Sequence, residues 1–542
     1  MRAADPDEAF DYVIVGAGSA GCVLANRLSE DGRATVLVLE AGGSDRNFWI
    51  AMPIGYGRTY YDARVNWKYS TEPVAALGGR QSYWPRGKVL GGSSAINAMV
   101  YVRGHPGDFD AWGREAPGWS WADVSPVFRR MERWARGADE WRGGSGPLFV
   151  SDISDQIHPL CEYYLEAARQ SGLGVNPDYN GAAMEGAAVY QLTTHGGRRA
   201  SAARCYLRPA LTRANVSLRT AAHASRIDFV GRRAVGVTYA QGGRERRVRA
   251  RREVIVSAGA VNSALLLQLS GIGPGDVLTR CGIAVRHENR HVGRNLQDHL
   301  GIDLIYHARV PTLNQVLGSW VGRMMAGANF LARRRGPLSL SVNQCGGFAR
   351  TRPELTVPDV QLYFSPLSYT RAPVGTRPLM RPDPFPGFLF GLSPCRPESR
   401  GHLEIRSADP AAPPLIHPNY LATDSDRADM LAGLRLVRRI AAMPALSEVI
   451  EAELSPGAEA ASDEELADHV RDQAWTVFHP CGTCRMGQDP GGSVVDPSLR
   501  VHGIERLRVI DASVFPNIPS GNINAPTIMV AERAAELIRQ AG

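Results

Sequence analysis

The sequence predicts an α/β protein of two domains, and three observations carry that reading. First, residues 10–15 (Phe-Asp-Tyr-Val-Ile-Val) form a short β-branched and aromatic run, as expected of a buried parallel strand. Gly16-Ala17-Gly18-Ser19-Ala20-Gly21 comes directly after it and opens the helical pattern of residues 22–28. Second, another apolar run at 35–39 ends on Glu40, which completes a strand–turn–helix–strand unit. Third, the chain changes character between about residues 301 and 473. Pro- and Arg-rich loops there separate short alternating strands such as 360–364 and 402–405.

Each part of the opening unit has a physical use. Gly16 permits the tight turn, Gly18 lets the backbone approach a pyrophosphate beside Ser19, and Gly21 lets helix and strand pack closely. Glu40 stands where a carboxylate can accept hydrogen bonds from an adenosine ribose. The order of these parts makes the unit a Rossmann-like dinucleotide site. Glu40-Ala41-Gly42-Gly43 favours FAD over NAD, and no second complete fingerprint exists for a nicotinamide. A second glycine cluster runs from Arg86 through Gly91, Gly92 and Ser93 to Asn97. Its exposed amides suit a loop laid against pyrophosphate or the flavin ring, and Asn97-Ala98-Met99-Val100-Tyr101 reads as buried. The strand at 254–257 leads into Ala258-Gly259, which returns the chain to the nucleotide domain.

The C-terminal part supplies candidate chemistry. His479-Pro480-Cys481-Gly482-Thr483-Cys484 places a histidine in a Gly/Pro-bounded loop, and its ordinary pKa near 6.5 suits a base at neutral pH. Gly521-Asn522-Ile523-Asn524-Ala525-Pro526-Thr527 places asparagines at the start of the helical pattern 528–538. Cys481 and Cys484 form a CxxC, but neither a thioredoxin-like context nor further metal ligands accompany it.

These motifs together resemble the glucose–methanol–choline (GMC) oxidoreductase family. The similarity is carried by the opening fingerprint, the Gly87–Ser94 run (Gly-Lys-Val-Leu-Gly-Gly-Ser-Ser), His479-Pro-x-Gly-Thr-Cys-Arg-Met-Gly487 and Asn522-x-Asn-Ala-Pro-Thr527. It implies a flavin domain of the p-hydroxybenzoate hydroxylase type and a substrate domain built on an antiparallel sheet. Residues 8–155, 196–300 and 476–542 are assigned to the first, and 156–195 and 301–475 to the second. The resemblance makes His479 the catalytic base and Asn524 the donor to the substrate oxygen. It makes Ala258, Gly259, Asp511, Ala512, Asn522, Asn524, Pro526 and Thr527 cofactor contacts, with Gln344, Val477 and Phe478 lining the substrate pocket. Gly293-Arg294-Asn295-Leu296-Gln297-Asp298-His299 resembles the family segment near a domain crossing, and His299 reads as structural.

Three departures shape the expected chemistry. Ile96 stands where covalent-flavin members carry a histidine, so dissociable FAD is expected. Ser263-Ala264 replaces the usual Ser/Thr-Pro of the family's second signature. Gln344 stands where choline-type members carry Glu; a neutral side chain there argues against a quaternary ammonium. The expected activity is oxidation of an uncharged aliphatic or aryl primary alcohol, with a quinone or oxygen as electron acceptor. The alternatives are choline dehydrogenase proper, a flavin lyase or photodecarboxylase, and a non-catalytic flavoprotein.

Bulk properties set the context. The chain has 542 residues, is 44% hydrophobic and 21% charged, and carries a net charge of +7 that is almost all arginine, Lys68 and Lys88 being the only lysines. The charge is dispersed and no nucleic-acid motif accompanies it, which excludes that partner class. The charged lead before the first strand, the lack of an apolar run of about 18 residues and the eight scattered cysteines predict a reduced cytoplasmic protein. Residues 316–331, with Trp320, Met324, Met325 and Phe330, precede Arg333-Arg334-Arg335. That stretch is either a lid or a peripheral contact with the inner face of the membrane.

Overall fold

Continuous β-branched runs can be buried on both faces, and the centre of the protein is built from three of them. In a computed structural model describing residues 8–369 and 381–541, Ala9–Val15 lies between Val36–Leu39 and Arg244–Val256, all parallel. The polar lead before residue 8 lies outside the described residues. Val216–Arg219 adds to one side and Leu507–Val509 to the other, again in parallel. Arg244–Val256 is long because it does two jobs. Its first half alternates exposed and buried residues in an antiparallel meander with Arg233–Gln241 and Ala222–Val230, and its Val-Ile-Val end is fully buried in the parallel sheet.

Helix Ser19–Leu28 starts on the glycine turn and packs against the C-terminal helix Asn524–Ala541. Arg27 clamps the pair through Glu532, Nε to carboxylate 2.8 Å. Gly21 is obligatory in this packing, because a Cβ there would stand 1.9 Å from the Gly16 carbonyl oxygen.

The second sheet is antiparallel throughout, in the order Ile450–Ser455, Leu300–Ala308, Gly387–Pro394, Val360–Ser365, Cys345–Ala349, Gly186–Val189. Trp475–Thr476 pairs with the start of Leu300–Ala308. Phe364, Phe388 and Phe390 are fully buried on this sheet, each worth about 1.5–3 kcal/mol of apolar burial. Helix Asp424–Ala441 covers it; Thr423 caps its N-terminus by accepting from the Asp426 N–H, and Arg438 and Arg439 close its last turn.

Two expectations need adjustment. The strand His402–Glu404 pairs with Leu415–His417 but sits on the nucleotide-binding half, not in the substrate domain. Leu403 N–H donates to Gly293, Ile405 N–H donates to Gln268 Oε1, and Glu404 pairs with Arg280 and Arg294. Its alternating pattern shows a strand but not which half it joins. The 316–331 stretch is also two helices, Leu313–Gly318 and Trp320–Arg333. They break at Ser319, whose hydroxyl caps the second by accepting from Gly322 N–H.

Candidate active site

One long cavity runs along the C-terminal edge of the parallel sheet, where Val15 and Leu39 hand over to loops. At one end Gly16, Gly18, Ser19, Glu40 and Ala41 line it. Gly16 has φ +101°, and no side chain caps the first N–H groups of helix Ser19–Leu28, which therefore face the cavity. The Glu40 carboxylate accepts from Ala17 N–H (2.9 Å) and Gly42 N–H (2.8 Å), while burial pushes its pKa up to about 7.

The middle is formed by the second glycine cluster and its continuation: Arg86, Gly92, Ser93, Asn97, Ala98, Met99 and Val100. Gly92 has φ +52°, and a Cβ on it would lie 2.7 Å from Gly18 Cα, so the two glycine loops meet backbone to backbone. Asn97 is held by the buried Arg199, whose Nη1 donates to the Asn97 carbonyl (2.6 Å) and side-chain oxygen (2.7 Å). Ala258, Gly259, Asp511 and Ala512 form the facing wall. Asp511 accepts from Gly259 N–H (2.8 Å) and from the Ser263 hydroxyl, so the serine, which keeps the Ser/Thr of the family's second signature while Ala264 replaces its proline, ties this wall together.

At the far end stand Val477, Phe478, His479, Asn522, Asn524 and Thr527. A smaller cavity opens beyond, sharing Tyr60, Ala98, Val100, Val477, Phe478 and Asn522 with the first. Tyr363, Trp475 and Asp303 also line it. His479 sits on the loop after Trp475–Thr476. Its N–H donates to Asp298 Oδ1 (2.7 Å), and Phe478 before it is held at φ +68° by Thr476 and by Arg86, whose Nη2 donates to the Phe478 carbonyl (2.7 Å). The ring has two partners: His299 Nδ1 lies 3.0 Å from His479 Nδ1, and Asn522 Nδ2 lies 3.1 Å from His479 Nε2. Burial, then the neighbouring His299 and Arg86, holds the His479 pKa well below the ordinary imidazole value.

Four sequence candidates do not line these cavities. Gly21 packs helix on strand. Gly91 supports its loop, donating its N–H to the Ala17 carbonyl (2.8 Å). Pro526 occupies the first turn of helix Asn524–Ala541, where no N–H is needed. Gln344 is a correction: its side chain is buried against helix Leu160–Gln170, accepting from His158 N–H (2.7 Å). Its neutrality therefore says nothing about substrate charge.

Asn524 is a second correction. Its side-chain oxygen accepts from the Ser19 hydroxyl (2.8 Å), at the nucleotide loop, and Asn522 faces His479 instead. The helix begins at Asn524, so that side chain turns with it, while Asn522 sits on the Gly521 turn (φ +86°) ahead of the helix. The two identical residues give no local basis for choosing between them. His299 reads as merely structural from sequence for a different reason. Its partner His479 is 180 residues away along the chain, and only the fold brings the two rings together. Cys481 and Cys484 are both buried free thiols, pushed up by burial.

Comparison with known proteins identifies the framework. The GMC oxidoreductase profile matches in two parts, residues 10–301 and 397–531. The chain is 42% identical to an alcohol dehydrogenase [acceptor] of Pseudomonas putida, covering 98% of this chain and 95% of that relative. It is 43% identical to an oxygen-dependent choline dehydrogenase of Vibrio vulnificus (strain YJ016), covering 98% and 94%. Among solved structures, pyridoxine 4-oxidase from Mesorbium loti superposes with a TM-score of 0.88 at 31% identity, covering 98% and 99%. The chain belongs to the GMC oxidoreductase family. Its cofactor is FAD, and the residues present fit that group: an uncapped helix N-terminus and glycine loops too close for side chains at the diphosphate end, and a buried carboxylate beside them.

Proposed function

We propose that the protein oxidises a primary alcohol to the aldehyde. FAD, when bound, supplies the hydride acceptor. His479 Nε2 takes the hydroxyl proton, and the Asn522 carboxamide donates to the oxygen as negative charge develops. The observation that carries this reading is the 3.1 Å approach of Asn522 Nδ2 to His479 Nε2 where the two cavities join. Rapid mixing of oxidised enzyme with alcohol under anaerobic conditions tests it. His479→Ala is expected to slow flavin bleaching about 10²–10⁴-fold; an unchanged rate would refute the assignment. The FAD is read as dissociable, supported by the apolar Ile96 in the cavity wall, and acid precipitation should release all the flavin into the supernatant.

A second substrate reading has its own support. Tyr60, Tyr363, Trp475 and Phe478 line the inner cavity together with Asp303, a set suited to a quaternary ammonium alcohol. Comparing kcat/KM for choline with that for neutral alcohols decides between the two. We infer a dehydrogenase rather than an oxidase, supported by the Pseudomonas relative's name, although the Vibrio relative is named oxygen-dependent. Flavin reoxidation faster with a soluble quinone than with air is the expected result.

Among the described residues, no helix is long and apolar enough to cross a membrane. We read helix Trp320–Arg333 as a peripheral anchor at the inner face of the membrane of a cytoplasmic enzyme. Trp320 (68% exposed), Met324, Met325 and Leu331 share one exposed stripe at i, i+4, i+5 and i+11 spacing. Between Asp303 and Glu354 the chain has no acidic residue, but it carries arginines at 323, 333, 334 and 335. That charge suits anionic headgroups. Co-sedimentation with vesicles of mixed anionic and zwitterionic lipid, lost in Met324→Glu/Met325→Glu, is expected. Equal binding by the variant would reject the anchor.

A further inference from the structure

We infer that His299 is a positioning residue that fixes which nitrogen of His479 is free to act as base. The inference rests on the proposed role of His479. His299 lies at the point where the chain leaves the nucleotide-binding half for strand Leu300–Ala308, and it is 1% exposed. Its ring touches two partners. Nε2 is 2.9 Å from the Cys395 carbonyl oxygen, and Nδ1 is 3.0 Å from His479 Nδ1.

Hydrogen-bond bookkeeping leaves one arrangement for two neutral rings. A carbonyl oxygen can only accept, so His299 Nε2 carries the hydrogen. A neutral imidazole has a single N–H, so His299 Nδ1 is a lone pair. The contact between the two Nδ1 atoms then requires the hydrogen on His479. With its hydrogen on Nδ1, His479 presents a bare Nε2 to Asn522 and the cavity, which is what a base needs. The Cys395 carbonyl thus sets the protonation pattern two rings away. The reverse tautomer of His299 would leave its Nε2 lone pair facing a carbonyl lone pair. It would also put the His479 hydrogen on Nε2, leaving no base.

The surroundings keep both rings neutral. Burial, with Arg396 nearby, lowers the His299 pKa to about 4, and burial with His299 and Arg86 lowers that of His479. Asp298, beside the pair, accepts from the His479 backbone N–H and from the Tyr420 and Thr476 hydroxyls, and not from either ring. A second imidazole in the place of a carboxylate orients the base without adding a negative charge beside it. After proton abstraction, His479 keeps its Nδ1 hydrogen on a neutral acceptor, which favours return of the proton.

The experiment uses FAD-loaded enzyme. His299→Ala is expected to lower the limiting rate of flavin reduction roughly 10- to 100-fold, with KM little changed and FAD content preserved. His299→Gln, whose amide can both donate to Cys395 and accept from His479, should recover most of that rate. In ¹⁵N-histidine spectra, His479, assigned by its loss in His479→Ala, should show a non-protonated Nε2 in the parent enzyme and a mixture of tautomers in His299→Ala. A parent His479 protonated on Nε2 would overturn the inference. So would a folded His299→Ala enzyme with unaltered rate and tautomer, or one whose rate loss only tracks lost FAD. If His299→Ala does not fold, the parent spectrum and the Gln variant still decide. An active His479→Ala enzyme would instead sink the proposed reaction, a separate result.

Discussion

At the scale of single residues, the site turns on Asn522 and Asn524 having different work. Asn522 meets His479, and Asn524 meets Ser19. Asn522→Ala should therefore cut the limiting rate of flavin reduction about 10²–10³-fold while FAD stays bound. Asn524→Ala should weaken FAD retention with a smaller effect on that rate; flavin content after dialysis reads this. The place of His479 in the cavity wall was legible, because a histidine in a His-Pro-x-Gly-Thr-Cys-Arg-Met-Gly setting is specific. The asparagine was not, because the difference lies in where a helix begins. Gln344 misled for a related reason: strand Cys345–Ala349 turns it toward helix Leu160–Gln170. The pH behaviour reflects burial. His479 titrates well below 6.5, so the rate should stay on its plateau as pH falls through 6.5 and drop only in more acidic buffer. His299 has a folded pKa of about 4 against an ordinary 6.5. Its contribution to stability is present above 6.5 and is lost as pH falls through about 4. Thermal melts across that window check the sign.

At the scale of elements, the two strands of the opening unit were readable to within a residue, while its helix begins at Ser19, three residues before the apolar pattern. Its strands are buried on both faces and leave a continuous apolar run. The same reading could not place His402–Glu404, since alternation reports one buried face and not its neighbour. The two glycine loops make a sharper claim. Gly92→Ala would force its Cβ to 2.7 Å from Gly18 Cα in a left-handed backbone conformation. Strain there should part the loops, and the variant should purify largely without flavin. Gly91→Ala, also at positive φ but with only side-chain atoms 3.2 Å and farther from the new Cβ, should be the milder change.

At the scale of the molecule, the loops of several segments line one cavity, and FAD, when bound there, would be held by all of them. Bound cofactor should therefore hold those segments together. Adding FAD to apoprotein at about 100 times its dissociation constant favours the folded state by about 2.7 kcal/mol, so the melting temperature should rise with FAD concentration. The division into a flavin half and a substrate half was visible in the motifs. The return of residues 402–417 to the flavin half was not, because it depends on contacts with Gly293 and Gln268 far away in sequence.

Two of the crossings between the expected halves run side by side as a two-stranded ribbon. Gln297 bridges Cys481, Val477 N–H donates to the His299 carbonyl, and Leu300 and Gly301 pair with Thr476 and Trp475. Both imidazoles ride on that ribbon, one on each strand. If the halves flex to admit a reactant, the axle of that motion carries both rings together, and the proton acceptor stays assembled.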